Sequence, residues 1–212
     1  MIFFSERIKS EGNMKKNWYT IALLALILVM EGCGGSRPSR FFILTSTVQK
    51  NSPEDRPDSL RIGIGTIRFP EYLNRPQIVS HKTANELNLA EFYRWAEPLQ
   101  ENLARILAEN LSQLIGTDHV FILPWQTVTN LDYRIFLEIR RFELNTESKV
   151  VLVAVWQIVS GKDKRPVVHR RSEIFREADS LNYNSLAESM SHTLEILSRE
   201  MADELTKVHG NR

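Results

Sequence analysis

Ten uninterrupted apolar residues, Ile21-Ala-Leu-Leu-Ala-Leu-Ile-Leu-Val-Met30, follow the basic pair Lys15-Lys16 and stop at Glu31-Gly32-Cys33. A bilayer span takes about 20 residues and a signal-peptide core about 7–15, so the run predicts an export signal. Downstream the pattern breaks into shorter units. Residues 40–46 predict a first strand, and residues 60–69, with Ile62, Ile64 and Ile67 in alternation, a second. Pro70 and Pro76 bracket a turn, after which 77–82 and 86–90 predict a hairpin. After Pro98, apolar residues fall at Leu99, Leu103, Ile106, Leu107, Leu111, Leu114 and Ile115, the 3- and 4-residue spacing of one helix face, with Gly116 as its stop. A second stripe, Leu186, Met190, Leu194, Leu197, Met201 and Leu205, predicts a helix over 184–208.

Between the two helices lie candidate strands at 119–123, 131–142, 149–159 and 166–177. In the second of these Leu131, Tyr133, Ile135, Leu137 and Ile139 share one face, while Asp132, Arg134, Glu138 and Arg140 make the other a wet face. Residues 150–159 are apolar on both faces and are placed at the centre of an antiparallel meander. The whole predicts an α+β domain: a mixed, largely antiparallel sheet with two helices packed on one face.

The cysteine changes the picture at the N-terminus. Cys33 is the only one in 212 residues, so no intramolecular disulfide can brace an exported domain. A small residue directly before a cysteine at the end of a signal core is the lipoprotein processing pattern, in which the thiol is acylated and the chain is cut in front of it. Glu31 departs from that pattern, since the residue two before the cysteine is normally small. Gly34 is not the aspartate that favours inner-membrane retention in enteric bacteria, so sorting to the outer membrane is expected. The expected organisation is a signal peptide over 1–32 (with Met14-Lys-Lys as the better start), a lipidated tether over 33–39, one domain over 40–208 and a tail over 209–212.

Charge excludes one class of partner. The segment 1–32 holds four of the 27 basic and three of the 26 acidic residues, leaving 23 of each sign beyond it. A neutral domain offers no basic footprint for nucleic acid. Candidate chemistry is sparse. Gly63-Ile-Gly65 lacks the third glycine of a dinucleotide fingerprint, and no Gly-x-Ser-x-Gly elbow occurs. His81, His119, His169, His192 and His209 share no close metal-ligand spacing. Glu195 and Glu200 sit in the charged face of a helix, and Trp95, Trp125 and Trp156 read as packing residues. The residues point to a non-catalytic protein with no cofactor and no metal.

Ile67-Arg-Phe-Pro-Glu-Tyr-Leu-Asn-Arg-Pro-Gln-Ile-Val79, Phe92-Tyr-Arg-Trp-Ala-Glu-Pro-Leu99 and Leu107-Ala-Glu-Asn-Leu111, followed by Phe121-Ile-Leu-Pro-Trp125 and Ser189-Met-Ser, resemble the PqiC/YmbA family of ABC-transport auxiliary lipoproteins. The resemblance implies an outer-membrane lipoprotein facing the periplasm, anchored by acyl chains (palmitate among them) on Cys33. It also implies work with an MCE-domain protein and its permease and ATPase in lipid transport and membrane integrity; self-association into a homo-oligomer stays open. Tyr72, Arg75 and Trp95 are the candidate partner-binding residues, because aromatic and arginine side chains are enriched at binding hot spots. The plainer alternative is that these segments only fix a turn and the start of a helix. Two other functions remain alongside: a lipoprotein that scaffolds an envelope complex without touching lipid, and an envelope hydrolase. An exposed apolar groove would favour transport, and a convergent polar pocket would favour hydrolysis.

Overall fold

The computed structural model describes Trp18 and residues 37–49, 60–124, 130–178 and 182–210. Apart from Trp18, the expected signal peptide, together with Cys33, residues 50–59 and Trp125, lies outside the described residues. Ser39–Arg212 forms one compact unit. Its described residues form eight strands and two α-helices: β1 (Arg40–Phe42), β2 (Ile62–Arg68), β3 (Gln77–His81), β4 (Leu87–Trp95), α1 (Leu99–Ile115), β5 (Val120–Ile122), β6 (Tyr133–Leu144), β7 (Lys149–Ser160), β8 (Pro166–Glu177) and α2 (Tyr183–Gly210).

The sheet is organised around β6. One edge of this 12-residue strand pairs antiparallel with β7, which pairs antiparallel with β8, giving the expected meander. Its other edge is shared. The first half of β6 runs parallel to β2, which carries β5 beyond it, and Leu144 near its end meets Ser80 of β3. β3 then pairs antiparallel with β4, and β4 parallel with β1. Two short ribbons therefore lie end to end along one long strand. The antiparallel meander and the hairpin are local pairings, whereas the parallel ones join segments far apart in the chain.

Periodicity locates the core. Tyr133, Ile135, Leu137 and Ile139 of β6 and Leu152, Ala154, Trp156 and Ile158 of β7 are buried on the face that receives the helices. On α1 the buried set includes Leu99, Leu103, Ile106, Leu107 and Leu111, and Leu114 and Ile115 are partly buried against the same core. Gly116 caps this helix in the left-handed region at φ 78°, where a side chain would be strained, and its N–H bonds the Ser112 carbonyl. The stripe from Leu186 to Leu205 is buried along α2. The helices also meet through a buried polar contact, Asn110 Nδ2 donating to Ser198 Oγ at 3.1 Å.

Three boundaries differ from the sequence reading. The first strand ends at Phe42 rather than at residue 46, because side chains take over its backbone bonds. Leu44 N–H donates to Asn102 Oδ1 at 2.6 Å, Asn102 Nδ2 donates to the Leu44 carbonyl at 3.3 Å, and Thr45 N–H donates to Ser191 Oγ at 3.1 Å. A buried asparagine on α1 and a serine on α2 thus continue what the sheet began. β4 runs on to Trp95 because its second half finds β1 as a partner. β6 runs on to Leu144 across a bulge between Ile139 and Arg141.

Candidate functional site

The segment Pro70–Pro76 forms a short 3-10 turn at Glu71–Leu73, closed by bonds from Leu73 N–H to the Pro70 carbonyl and from Asn74 N–H to Glu71. Leu73 is buried beneath it. The turn leads directly into β3, and Gln77 pairs with Arg94 of β4 while Trp95 N–H donates to the Pro76 carbonyl at 2.7 Å. Ala96 N–H then bonds the Phe42 carbonyl at 2.8 Å. The two specific motif segments, some twenty residues apart in sequence, are therefore stitched to each other and to β1. Both serve one end of the sheet.

The three sequence candidates fare differently there. Trp95 is 5% exposed and belongs to the hydrophobic core, opposite Phe42 across the β1–β4 pair. Its ring packs the sheet and presents almost no surface of its own. Tyr72 and Arg75 are half-buried. The Arg75 Nε is enclosed with no hydrogen-bond partner, while its backbone N–H bonds the Leu73 carbonyl.

Tyr72 leads to a cluster that the sequence reading did not assemble. Its hydroxyl donates to Glu143 Oε2 at 2.9 Å, and that carboxylate is fully buried. Arg141 Nε donates to Glu143 Oε1 at 2.8 Å, and Phe142 N–H donates to Oε2 at 2.8 Å. His81 Nε2, from the end of β3, lies 3.4 Å from Oε1, while its Nδ1 faces the Thr83 carbonyl at 3.2 Å. Burial, and then the charge of Glu143, raise the Tyr72 phenol far above its usual range, so it stays a donor. Both carboxylate oxygens are committed to donors from the turn and from β6, with His81 of β3 beside them, which holds the 70–76 turn and the β3 hairpin against the end of β6. A carboxylate so occupied is a fastener and not a free base. Beside it a groove of about 360 Å³ is lined by Tyr72, His81, Ala84, Asn85, Leu87 and Arg141.

The bulge explains why Glu143 was hidden. Straight alternation from Tyr133 would send Arg141 and Glu143 into the core. The bulge resets the phase, so Phe142 and Leu144 face the helices and the two charged residues face the other side. Two charges in the register of an apolar face were the available signal. Tyr72→Phe should lower stability by about 1.5–3 kcal/mol, since it removes one donor to a buried charge and leaves the ring in place. Chemical unfolding of the variant checks this, and a change within noise would show that water replaces the phenol.

On the outer face of the sheet a second groove, of about 460 Å³, is lined by Thr66, Arg68, Phe136, Glu138, Gln157 and His169 among others. Its lining mixes charge, amide and apolar carbon, so it is not the apolar trough a lipid tail would fill. Among the described residues no cluster of three or more His, Cys, Asp or Glu side chains could hold a metal ion, and no helix is long and apolar enough to cross a membrane.

An eight-stranded mixed sheet backed by two helices defines an α+β domain. The chain belongs to the family described as the ABC-type transport auxiliary lipoprotein component, which matches residues 42–202. That span is nearly the whole folded unit, so the protein is an auxiliary lipoprotein of a transport system. Two crystal structures share its fold. Protein XCC0632 from Xanthomonas campestris is 19% identical, with 82% of this chain and 97% of that one covered and a TM-score of 0.67. An uncharacterised protein is 15% identical, with 80% and 99% covered and a TM-score of 0.65. At these identities the likeness is one of fold alone. No curated protein matches the chain.

Proposed function

We propose that this protein is the outer-membrane lipoprotein subunit of an MCE/ABC-type intermembrane lipid transport system, and that it docks the periplasmic tunnel at the outer membrane. The family match over residues 42–202 carries this reading, because it covers the domain from β1 to the last turns of α2. The outer groove has a mixed lining and not the apolar trough that would favour transport, so the reading rests on the family match and not on that groove. Cys33 supplies the anchor in this reading, as the sequence pattern around it suggests. Tyr72 and Arg75 form part of the rim that meets the MCE-domain protein, and Trp95 supports that rim from beneath.

Two experiments bear on separate parts of the proposal. Cys33→Ala abolishes incorporation of labelled palmitate and leaves the protein uncut or mislocalised; equal labelling of variant and wild type would remove the anchor assignment. Crosslinking in the envelope recovers an MCE-domain protein with the wild type and much less with Arg75→Ala. If the wild type captures none under conditions that recover other lipoprotein complexes, the docking role falls and an assembly scaffold without lipid contact takes its place.

A further inference from the structure

β1 is short, lies at the edge of the sheet and is the first strand after the expected anchor. Its inward side is well used: Phe42 and, just past the strand, Leu44 are buried, and Phe42 lies near the stacked rings of Tyr93 and Tyr183, whose centroids are 3.9 Å apart. Its outward side is not. Phe41 is 64% exposed and Ile43, just past the strand, 42%, two large apolar side chains two residues apart where polar ones would be expected at a surface. A basic group stands beside Phe41. Arg94 pairs with Phe41 in the β1–β4 register, whereas the Arg40 guanidinium lies 5.7 Å from the Phe42 ring and 5.9 Å from the Tyr93 ring, on the other face. Glu91, whose carbonyl accepts from Arg94 Nε, is the only acid of β4.

Chain length narrows what can cover this face. Phe41 follows Cys33 by eight residues, a stretch that reaches at most about 29 Å when fully extended. A domain of this size is roughly 40 Å across, so an acylated Cys33 would keep the start of β1 on the membrane side of the domain. Phenylalanine and large aliphatic side chains bury at the boundary between headgroups and acyl chains, and arginine pairs with anionic headgroups there.

We propose that Phe41 of β1 and Ile43 just past it, with Arg94 beside Phe41, rest on the lipid surface beside the anchor. This contact fixes how the domain stands on the membrane. The proposal rests on the reading of Cys33 as the acylated residue, and the test separates the two. The full chain is expressed with Phe41→Cys, Ile43→Cys or, as a control on the exposed side of α1, Glu109→Cys. Each protein is placed in vesicles of phosphatidylethanolamine and phosphatidylglycerol and labelled with an environment-sensitive fluorophore, and brominated lipid is then titrated in as quencher. Labels at positions 41 and 43 shift to the blue and lose most of their emission, while the label at 109 does neither. Palmitate-labelled protein whose 41 and 43 labels behave like the control overturns the membrane contact alone. A blue shift without quenching overturns it too, and assigns the face to a second copy or another protein. Wild-type protein without palmitate removes the anchor, and this proposal with it.

Discussion

Replacing Trp95 by alanine costs about 3–5 kcal/mol of folding stability, the loss usual for a large aromatic ring taken from a core. The ring is 5% exposed and stands opposite Phe42, at the point where β4, β1 and the 70–76 turn are tied together. Its removal leaves a void that backbone bonds on both sides hold open, since Trp95 N–H is fixed to Pro76 and Ala96 N–H to Phe42. Arg75→Ala is expected to stay within about 1 kcal/mol of the wild type, because its side chain is half-buried and its Nε has no partner to lose. Urea unfolding of the two variants measures the difference. The comparison also divides the sequence candidates. Trp95 should fail as a fold before it fails as a surface, whereas Arg75 should keep its fold and lose its partner. Comparable losses at both positions would mean that Arg75 too is a packing residue, and that the rim lies elsewhere.

The next largest effect is expected on the first long helix. Leu107 has no exposed surface and sits in the stripe that joins α1 to the sheet and to α2, so Leu107→Ala costs about 2–5 kcal/mol. Glu109, two residues on, is exposed and accepts from Gln113 Nε2 at 3.2 Å on its own helix. Its change to alanine should fall within about 0.5 kcal/mol. Thermal unfolding followed by circular dichroism separates these cases by many degrees. Similar midpoints for the two variants would place the buried face of α1 elsewhere.

These two experiments probe different kinds of knowledge. The face of α1 was legible in the sequence, because a helix that packs on one side must repeat its apolar residues every three or four positions. The same holds for α2, for the alternation of β6 up to Ile139, and for the doubly apolar β7 at the centre of its meander. Gly116 announced its own role, since a glycine just past a helical stripe is where a chain turns through the left-handed region. The resemblance of the Pro70–Pro76 and Trp95–Leu99 segments to auxiliary lipoproteins was likewise written in the residues, and the family match bears it out.

What the sequence could not order was whatever depends on partners far along the chain. Nothing local makes β2 and β3 share one edge of β6, because parallel neighbours are chosen by the packing of the whole sheet. Nothing local ends β1 at Phe42, because the groups that take over its backbone bonds stand on α1 and α2. The Glu143 cluster is the clearest case. Its members come from the 70–76 turn, from β3 and from beyond a bulge in β6, and each alone reads as an ordinary surface residue. Trp95 makes the same point in reverse, for its burial follows from β1 lying beside it. Periodicity and motif are local properties and were determined by the sequence itself; the edge sharing, the buried carboxylate and the exposed face of β1 are consequences of long-range contact, which only the folded chain decides.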